Sequence, residues 1–140
     1  MEDLFVKLYK NEDDYDTIKT WAMKKGLAFP LEEALPGVGV IVIDKKGKKY
    51  GCAFLYLDNE TIVSIMEWVF VNPDTTPKEK HKTMEVILDN MERCANAEEH
   101  PLMMTGSSAS GIVRLYQKHG WKVMEHGVTH LIKNTQKVGT

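Results

Sequence analysis

The stretch VFVNPDTTPKEKHKTMEVIL, Val69 to Leu88, joins an apolar segment to an amphipathic one through a polar Asn-Pro-Asp turn. The β-branched and aromatic side chains before the turn predict a buried strand. After Pro77 the apolar residues recur three and four positions apart, which predicts a helix with one buried face. Thr76, Pro77 and Glu79 match a capping box with proline in the first helical position. The sequence therefore predicts a strand that runs directly into a well-specified helix.

Four basic side chains lie at the beginning of this helix: Lys78, Lys80, His81 and Lys82. The helix dipole is positive at this end, and an exposed cation there costs about 0.3–1 kcal/mol. One explanation is that the cations and the unpaired amides of the first turn bind an anion. The other is a solvated surface on which Glu85 offsets His81 or Lys82. The sequence leaves both explanations open.

The elements on either side follow one another with short connections. Strands are predicted over residues 4–10, 37–44, 50–57, 61–71, 101–106, 121–126 and 128–133, and helices over 11–26, 31–35, from 77 onward and 110–120. The helix between the fourth and fifth strands implies a parallel crossover in an otherwise antiparallel sheet. The prediction is a mixed, mostly antiparallel α+β fold with about seven strands and four helices on both faces. We expect one domain over residues 1–134 and a polar tail over 135–140.

The composition argues against several classes of protein. The 140 residues are 43% hydrophobic and 27% charged, with a formal net charge of -2, so we expect no nucleic acid or membrane partner. Cys52 and Cys94 lie far apart and match no disulfide framework or metal-binding pattern. Neither a secretion leader nor an apolar run of about 18 residues is indicated. We expect a cytoplasmic protein that binds no metal and is a monomer or a homodimer.

A carboxylate interrupts the apolar row of the strand TIVSIMEWVFV, residues 61–71. Simple alternation of side chains puts Glu67 on one face with Val63, Ile65, Val69 and Val71. Burial raises the pKa of a carboxylate toward the range that suits a general base. Two structural explanations stay open beside this one: a β-bulge that turns Glu67 outward, and an ion pair with a lysine.

Two motifs resemble those of the GNAT superfamily, the acyl-CoA-dependent N-acetyltransferases. They are VFVNP, residues 69–73, and RLYQKHGW, residues 114–121, which is similar to the LYxKxGF helix-turn of the family. The element order agrees over nearly the whole chain. The resemblance implies acetyl-CoA as cosubstrate, bound between strand residues 67–71 and 102–105. It also implies that Tyr116 is a general acid for the departing thiolate and that Glu67 is the base for the amine; alternatively, Tyr116 is a core residue.

The loop after the fourth strand departs from the family pattern. The family has Arg/Gln-x-x-Gly-x-Gly/Ala there, whose amides hold the cofactor pyrophosphate, whereas this loop contains no glycine. One alignment places Thr76, Glu79 and His81 at the three positions. A second, which we prefer, places Lys78, His81 and Thr83 there and leaves a small residue at the last position. The implied cofactor-binding residues are Val69, Phe70, Val71, Lys78, Lys80, His81, Lys82 and Thr83.

These features predict an N-acetyltransferase that moves an acetyl group to a primary amine of a small molecule or protein. Direct transfer is expected, because neither cysteine falls beside a base. In the family, Glu32 and Glu33 would border the acceptor pocket and favour a cationic amine. The alternative is a catalytically inactive binding module of the same fold that acts through protein-protein contacts. The TPKEK loop, residues 76–80, is similar to GNAT-like proteins of bacteriophages, which keeps this alternative open.

Overall fold

The computed structural model describes residues 3–107, 110–127, 129, 131 and 133. Its contacts divide the chain into two units, Met1–Gly106 and Ser107–Thr140, and each is described by itself. The expectation of one domain over residues 1–134 stays a prediction. The predicted tail, residues 135–140, lies outside the described residues.

The first unit contains a sheet and two α-helices. In chain order its elements are β1 Phe5–Leu8, α1 Asn11–Lys24, a 3-10 helix Glu32–Ala34, β2 Val38–Ile43, β3 Lys49–Leu57, β4 Val63–Val71, α2 Pro77–Ala97 and β5 Leu102–Met104. The second unit contains α3, Ser110–Lys118. The short helix predicted over residues 31–35 is the 3-10 helix, because Pro30 and Pro36 leave room for only one turn between them.

The strands form one sheet in the order β1-β2-β3-β4-β5. Neighbouring strands are antiparallel up to β4, and β5 runs parallel to β4 after the crossover through α2. The predicted mixed α+β class, the antiparallel meander and the parallel crossover are therefore confirmed.

The predicted numbers of strands and helices were too high. In the part of the chain that the structure describes there are five strands and three α-helices, against about seven and four predicted. Residues 121–127 form no strand. Val123 and Met124 are exposed, so no buried face holds this segment in a sheet. The last predicted strand, over residues 128–133, lies partly outside the described residues.

One face of the sheet is covered by α1. Cys52 and Phe54 of β3 are fully buried in one cluster with Ile18 and Trp21 of α1. Strand alternation puts the side chains of residues 52, 54 and 56 on this side, which we call the α1 face. Aromatic rings dominate it, because Tyr9, Phe29, Phe70 and Trp68 also pack against the cluster.

The opposite face of the sheet is covered by α2, and we call it the α2 face. A side chain placed on Gly51 would meet the Cγ2 atom of Thr83 at 2.6 Å and Cδ1 of Ile87 at 3.2 Å, so α2 lies directly over β3 here. The buried stripe of α2 follows the predicted helical spacing and consists of Thr83, Met84, Ile87, Leu88, Met91 and Ala95.

A buried carboxylate fixes α1 to the strands. Asp14 is fully buried and accepts hydrogen bonds from Lys7 Nζ at 2.7 Å and from the Lys10 amide at 2.9 Å. Lys49 Nζ of β3 lies 2.8 Å from its other oxygen. Burial alone raises the pKa of the Asp14 carboxyl, but the hydrogen bonds from Lys49, Lys7 and Lys10 outweigh it and leave the pKa below its ordinary value.

Candidate functional site

A β-bulge interrupts β4 next to Glu67. Phe54 pairs with Glu67 and Cys52 pairs with Phe70, so Ala53 lies opposite two residues, Trp68 and Val69. Trp68 has a φ of +55°, in the left-handed region that bulky residues rarely adopt. Such a conformation costs on the order of 1–3 kcal/mol and persists only when the surroundings impose it.

The bulge corrects the alternation that the sequence predicts for β4. Directly paired residues of antiparallel strands point to the same face, so Glu67 and Phe70 both follow their partners Phe54 and Cys52 onto the α1 face. The prediction that Val69 and Val71 share the face of Glu67 was wrong, because the extra residue shifts the alternation by one position.

Contacts from three sides hold Trp68. Its Nε1 atom donates to the hydroxyl of Tyr56 at 2.9 Å, and that hydroxyl donates to the carbonyl oxygen of Ala34 at 2.9 Å. The thiol of Cys52 donates to the Trp68 carbonyl at 3.4 Å. The ring of Phe29 meets the indole edge-to-face, with 6.0 Å between centroids.

Just before the bulge, β4 separates from β5. The parallel pairing runs from Val63 with Leu102 to Ile65 with Met104, where β5 ends. Thr105 Oγ1 then donates to the Met66 carbonyl at 2.8 Å. On the other side, the Asn72 amide donates to Tyr50 of β3, so alternation turns the backbone groups of Val71 away from β3. The end of β4, Glu67–Val71, therefore presents an edge that β5 does not cover.

Glu67 stands at the beginning of this uncovered edge. It is half-buried on the α1 face, directly opposite the fully buried ring of Phe54. The alternative in which a bulge turns Glu67 outward does not hold, because the bulge changes the face of the side chains only from residue 69 onward. A carboxylate at the margin of an aromatic surface is partly desolvated, which is the environment that suits a base.

The helix that follows begins with its own cap. Thr76 Oγ1 accepts from the Glu79 amide at 3.1 Å, and the Glu79 carboxylate accepts from the Thr76 amide at 2.9 Å, so the predicted capping box is confirmed. The Lys80 amide donates to the Thr76 carbonyl. The amide of Lys78 donates to no described residue, and Pro77 has none. One amide thus remains for an anion, fewer than the sequence suggested.

The basic side chains at this helix start differ in their surroundings. Lys78, His81 and Lys82 are exposed, and His81 Nε2 lies 3.5 Å from Glu85, the offset that the solvated alternative predicts. Lys80 is half-buried and donates to the Pro73 carbonyl at 3.3 Å. Two of the four side chains therefore already have protein partners, Glu85 for His81 and the Pro73 carbonyl for Lys80.

Thr83 faces the sheet. Its side chain is fully buried, its hydroxyl donates to the Glu79 carbonyl at 2.7 Å, and its methyl group lies over Gly51. Contact with β3 therefore explains why the residue is small, without reference to a phosphate. Val69 is half-buried, and Phe70 and Val71 are buried at the uncovered end of β4.

The sequence did not indicate two contributors to this region. Burial lowers the pKa of Lys25, at the end of α1, and the nearby Lys80 lowers it further, so α1 adds a cation close to the start of α2. Tyr56 accepts a hydrogen bond from Trp68 at the bulge. Both contacts join residues that are distant in sequence, and no local motif marks them.

The second unit contains the other predicted catalytic residue. Tyr116 lies in the last part of α3 and is buried, and its ring lies 5.6 Å from that of Trp121. The amides of His119 and Trp121 both donate to the Tyr116 carbonyl, and Gly120 has a φ of +90° that ends the helix. The predicted helix-turn is thus present. Glu67 belongs to the first unit.

The described residues contain no group of three or more His, Cys, Asp or Glu side chains that could hold a metal ion. None of their helices has the length and apolar character needed to cross a membrane.

Comparisons with known proteins identify the fold. No family model and no curated protein matches the sequence. An acetyltransferase from Trypanosoma brucei matches with a TM-score of 0.59 and 15% identity, over 93% of this chain and 100% of that one. A GNAT family acetyltransferase from Streptococcus pneumoniae matches with a TM-score of 0.58 and 12% identity, over 97% of this chain and 100% of that one.

A third structure was crystallised with coenzyme A and L-arginine. This N-acetylglutamate synthase from Neisseria gonorrhoeae matches with a TM-score of 0.69 and 15% identity, over 89% of this chain and 28% of the synthase chain. At these identities the likeness establishes architecture. The chain has the fold of the GNAT acetyltransferases.

Proposed function

We propose that this protein is an acetyl-CoA-dependent N-acetyltransferase that acts on a primary amine in the cytoplasm. The observation that carries the proposal is the end of β4 that β5 does not cover, where backbone groups of Val69 and Val71 turn away from β3 beside the half-buried carboxylate of Glu67. An extended ligand such as the pantetheine arm of coenzyme A can hydrogen-bond to an open strand edge as an added strand does. Of the implied residues Val69, Phe70 and Val71, the first and last would supply backbone groups to that edge, since alternation turns those of Phe70 toward β3.

The bulge also suits the chemistry of acyl transfer. A bulge leaves one residue outside the strand ladder, so an amide of Trp68 or Val69 is available to donate to the thioester carbonyl oxygen as negative charge develops there. In this proposal Glu67 removes a proton from the acceptor ammonium, directly or through water. The amine nitrogen attacks the carbonyl carbon, the C–S bond breaks, the nitrogen releases its second proton to water, and Tyr116 protonates the departing thiolate.

The phosphates would lie at the start of α2. The Lys78 amide and the side chains of Lys78, Lys80, His81 and Lys82 are the donors in this region, with Thr83 as the small residue of the preferred alignment. The self-capped helix offers fewer amides than a glycine-rich loop, so side-chain charge must supply more of the affinity, and binding should weaken with salt.

Direct transfer is favoured over a covalent acyl-enzyme. Burial raises the pKa of the Cys52 thiol to about 12, and the thiol is occupied by the Trp68 carbonyl. Burial also raises the pKa of Cys94. Neither thiol is an activated nucleophile, since the thiolate is the reactive form. Ping-pong kinetics would contradict this part of the proposal.

One observation favours a second candidate, a binding module without turnover. The capping box of Thr76 and Glu79 satisfies the start of α2 without any ligand. A chain that has lost its cofactor would be expected to stabilise this helix start in that way. Such a protein would act through protein-protein contacts.

Thermal unfolding with and without acetyl-CoA tests the proposal, with desulfo-CoA and ATP as ligand controls. A ligand at a hundred times its dissociation constant stabilises by about 2.7 kcal/mol, which moves the midpoint by several degrees in a chain of this size. We expect a shift with both CoA compounds that exceeds the shift with ATP. The absence of a shift at millimolar ligand would reject the enzyme and leave the binding module.

Charge reversal then locates the phosphates. Lys78→Glu combined with Lys82→Glu should abolish most of the shift, whereas Lys45→Glu combined with Lys46→Glu, two exposed lysines of the β2–β3 turn, should not. Turnover distinguishes the two functions: Tyr116→Phe should lower kcat while the affinity for acetyl-CoA stays nearly the same. A protein that binds coenzyme A but acetylates no amine, before and after this substitution, would contradict the catalytic assignment.

A further inference from the structure

The conformation of Trp68 is imposed by tertiary contacts. A tryptophan with a φ of +55° in the middle of a strand gains nothing from local preference, and its bulge lies within the edge assigned above to the acyl donor. Strained residues of this kind concentrate at functional sites, where the surrounding structure determines them. The question is which side chain holds the bulge.

Tyr56 is the side chain that connects the bulge to the rest of the α1 face. Its hydroxyl accepts from the Trp68 indole at 2.9 Å and donates to the Ala34 carbonyl at 2.9 Å, so both hydrogen-bonding roles of the hydroxyl are used. Ala34 ends the 3-10 helix Glu32–Ala34. One phenol therefore ties the strained residue of β4 to the segment that carries Glu32 and Glu33.

The other contacts of Trp68 do not fix it in the same way. The Cys52 thiol is a weak donor at 3.4 Å, and the edge-to-face contact with Phe29 is not tied to a single orientation. The indole donor has one direction, and a neutral hydroxyl placed 2.9 Å away along it sets the rotation of the ring. The side-chain rotation in turn restricts the backbone of the bulge.

We propose that Tyr56 is a positioning residue that fixes the bulge of β4 at Trp68 in the conformation needed to hold the acyl donor. The role of Tyr56 toward the acyl donor rests on the proposed function. Its role in fixing the bulge concerns the protein without ligand. We also expect that the segment Glu32–Ala34 and the donor edge move together, because both are held by the same hydroxyl.

The test replaces the hydroxyl alone and reads the free protein first. In ¹⁵N-labelled protein, Tyr56→Phe should shift the Trp68 indole resonance and the amide resonances of residues 67–70. Tyr9→Phe is the matched control, because Tyr9 also packs on Phe54 of the α1 face and its hydroxyl donates to Asn11 instead. The control should leave the resonances of residues 67–70 in place. Unchanged amides in Tyr56→Phe would overturn the proposal, since water would then replace the hydroxyl without consequence.

The affinity for coenzyme A tests whether the conformation of the bulge matters for binding the acyl donor. The dissociation constant should rise by about tenfold in Tyr56→Phe and stay unchanged in Tyr9→Phe, because small displacements in a site cost one to two orders of magnitude. Trp68→Phe should give the same loss, and the double variant should lose no more than either single one. Shifted amides with unchanged affinity, or fully additive losses, would overturn the inference. Wild-type protein that binds no coenzyme A would reject the proposed function instead, and the spectra alone would then decide whether Tyr56 holds the bulge.

Discussion

The two faces of the sheet carry different types of side chain. Under α2 the contacts are mostly aliphatic, and Gly51 of β3 leaves space for the methyl group of Thr83. Under α1 the face contains aromatic rings, a half-buried carboxylate at Glu67 and the strained Trp68. The α2 face stabilises the fold, because close packing of apolar groups supplies most of the stability.

The α1 face carries features that packing does not require. A bulge, a left-handed tryptophan and a carboxylate at the margin of a cluster each reduce stability. Such features persist where something else, such as ligand binding, depends on them. Under the proposed function, ligand binding belongs to the aromatic part of the α1 face and the adjoining end of β4, whereas apolar packing under α2 and the ion pairs of Asp14 contribute stability. Three substitutions examine this division, and their expected effects on unfolding decrease in the order given.

Asp14→Asn should have the largest effect on stability. It removes the buried charge that faces Lys7 and Lys49, and breaking a buried ion pair costs about 3 kcal/mol or more. Because the pKa of Asp14 is lower in the folded protein than its ordinary value of 3.8, its contribution is present above about pH 4 and is lost as the pH falls through the folded pKa. Denaturant unfolding from pH 3 to 7 measures both effects.

The control for this substitution is Asp13→Asn, which removes an exposed carboxylate from the same helical turn. It should change the unfolding free energy by a few tenths of a kcal/mol, as expected for an exposed group near a helix dipole. An acid dependence that persists unchanged in Asp14→Asn would show that other carboxyl groups cause it.

Gly51→Ala should destabilise through the α2 face. The new Cβ would lie 2.6 Å from Thr83 Cγ2 and 3.0 Å from the Phe70 carbonyl, and overpacking of this kind costs about 1–3 kcal/mol. Adding Thr83→Ser removes the methyl group and should restore part of the loss. Gly37→Ala, where a Cβ meets nothing within 4 Å, is the control. Chemical denaturation measures the loss in each variant.

The same variant also tests the division between the faces. Well below its midpoint, Gly51→Ala should bind coenzyme A as the wild-type protein does, because Thr83 and Gly51 face the core. A loss of affinity that tracks the loss of stability would mean that the α2 face shapes the site as well. It would also support the alignment in which Thr83 belongs to the phosphate-binding residues.

The parts of this fold that sequence predicts are those with local causes. Thr76, Pro77 and Glu79 specify the start of α2 within four positions, and hydrophobic periodicity gives the strand order. The sequence left a bulge near Glu67 open but gave neither its position nor its direction, because Trp68 hydrogen-bonds to Tyr56, twelve positions away. The reason for the small side chain of Thr83 could not be predicted either. In the alignment it matches the last position of a phosphate-binding loop, whereas in the structure its methyl group packs over Gly51. Tertiary contacts override local pattern at both places.

The smallest expected effect on unfolding concerns the start of α2. There the Glu79 amide can donate either to the cap residue Thr76 or to a bound phosphate. Thr76→Ala removes the cap and should cost about 1 kcal/mol. It also frees the Glu79 amide, so if phosphate binds at this helix start the affinity for coenzyme A should rise while stability falls. Denaturation and a binding titration on the same preparation measure the two quantities.

Glu79→Gln separates the two roles of the box. Glutamine can still accept from the Thr76 amide, so the cap and the stability should survive, while the negative charge that would repel a phosphate is gone. We expect tighter coenzyme A binding in both variants, with loss of stability in Thr76→Ala alone. Weaker binding in both would mean that the capped helix itself forms the site. The helix start would then belong with the structural part of the molecule, and the anion site would have to be sought among Lys25, Lys80 and the end of β4.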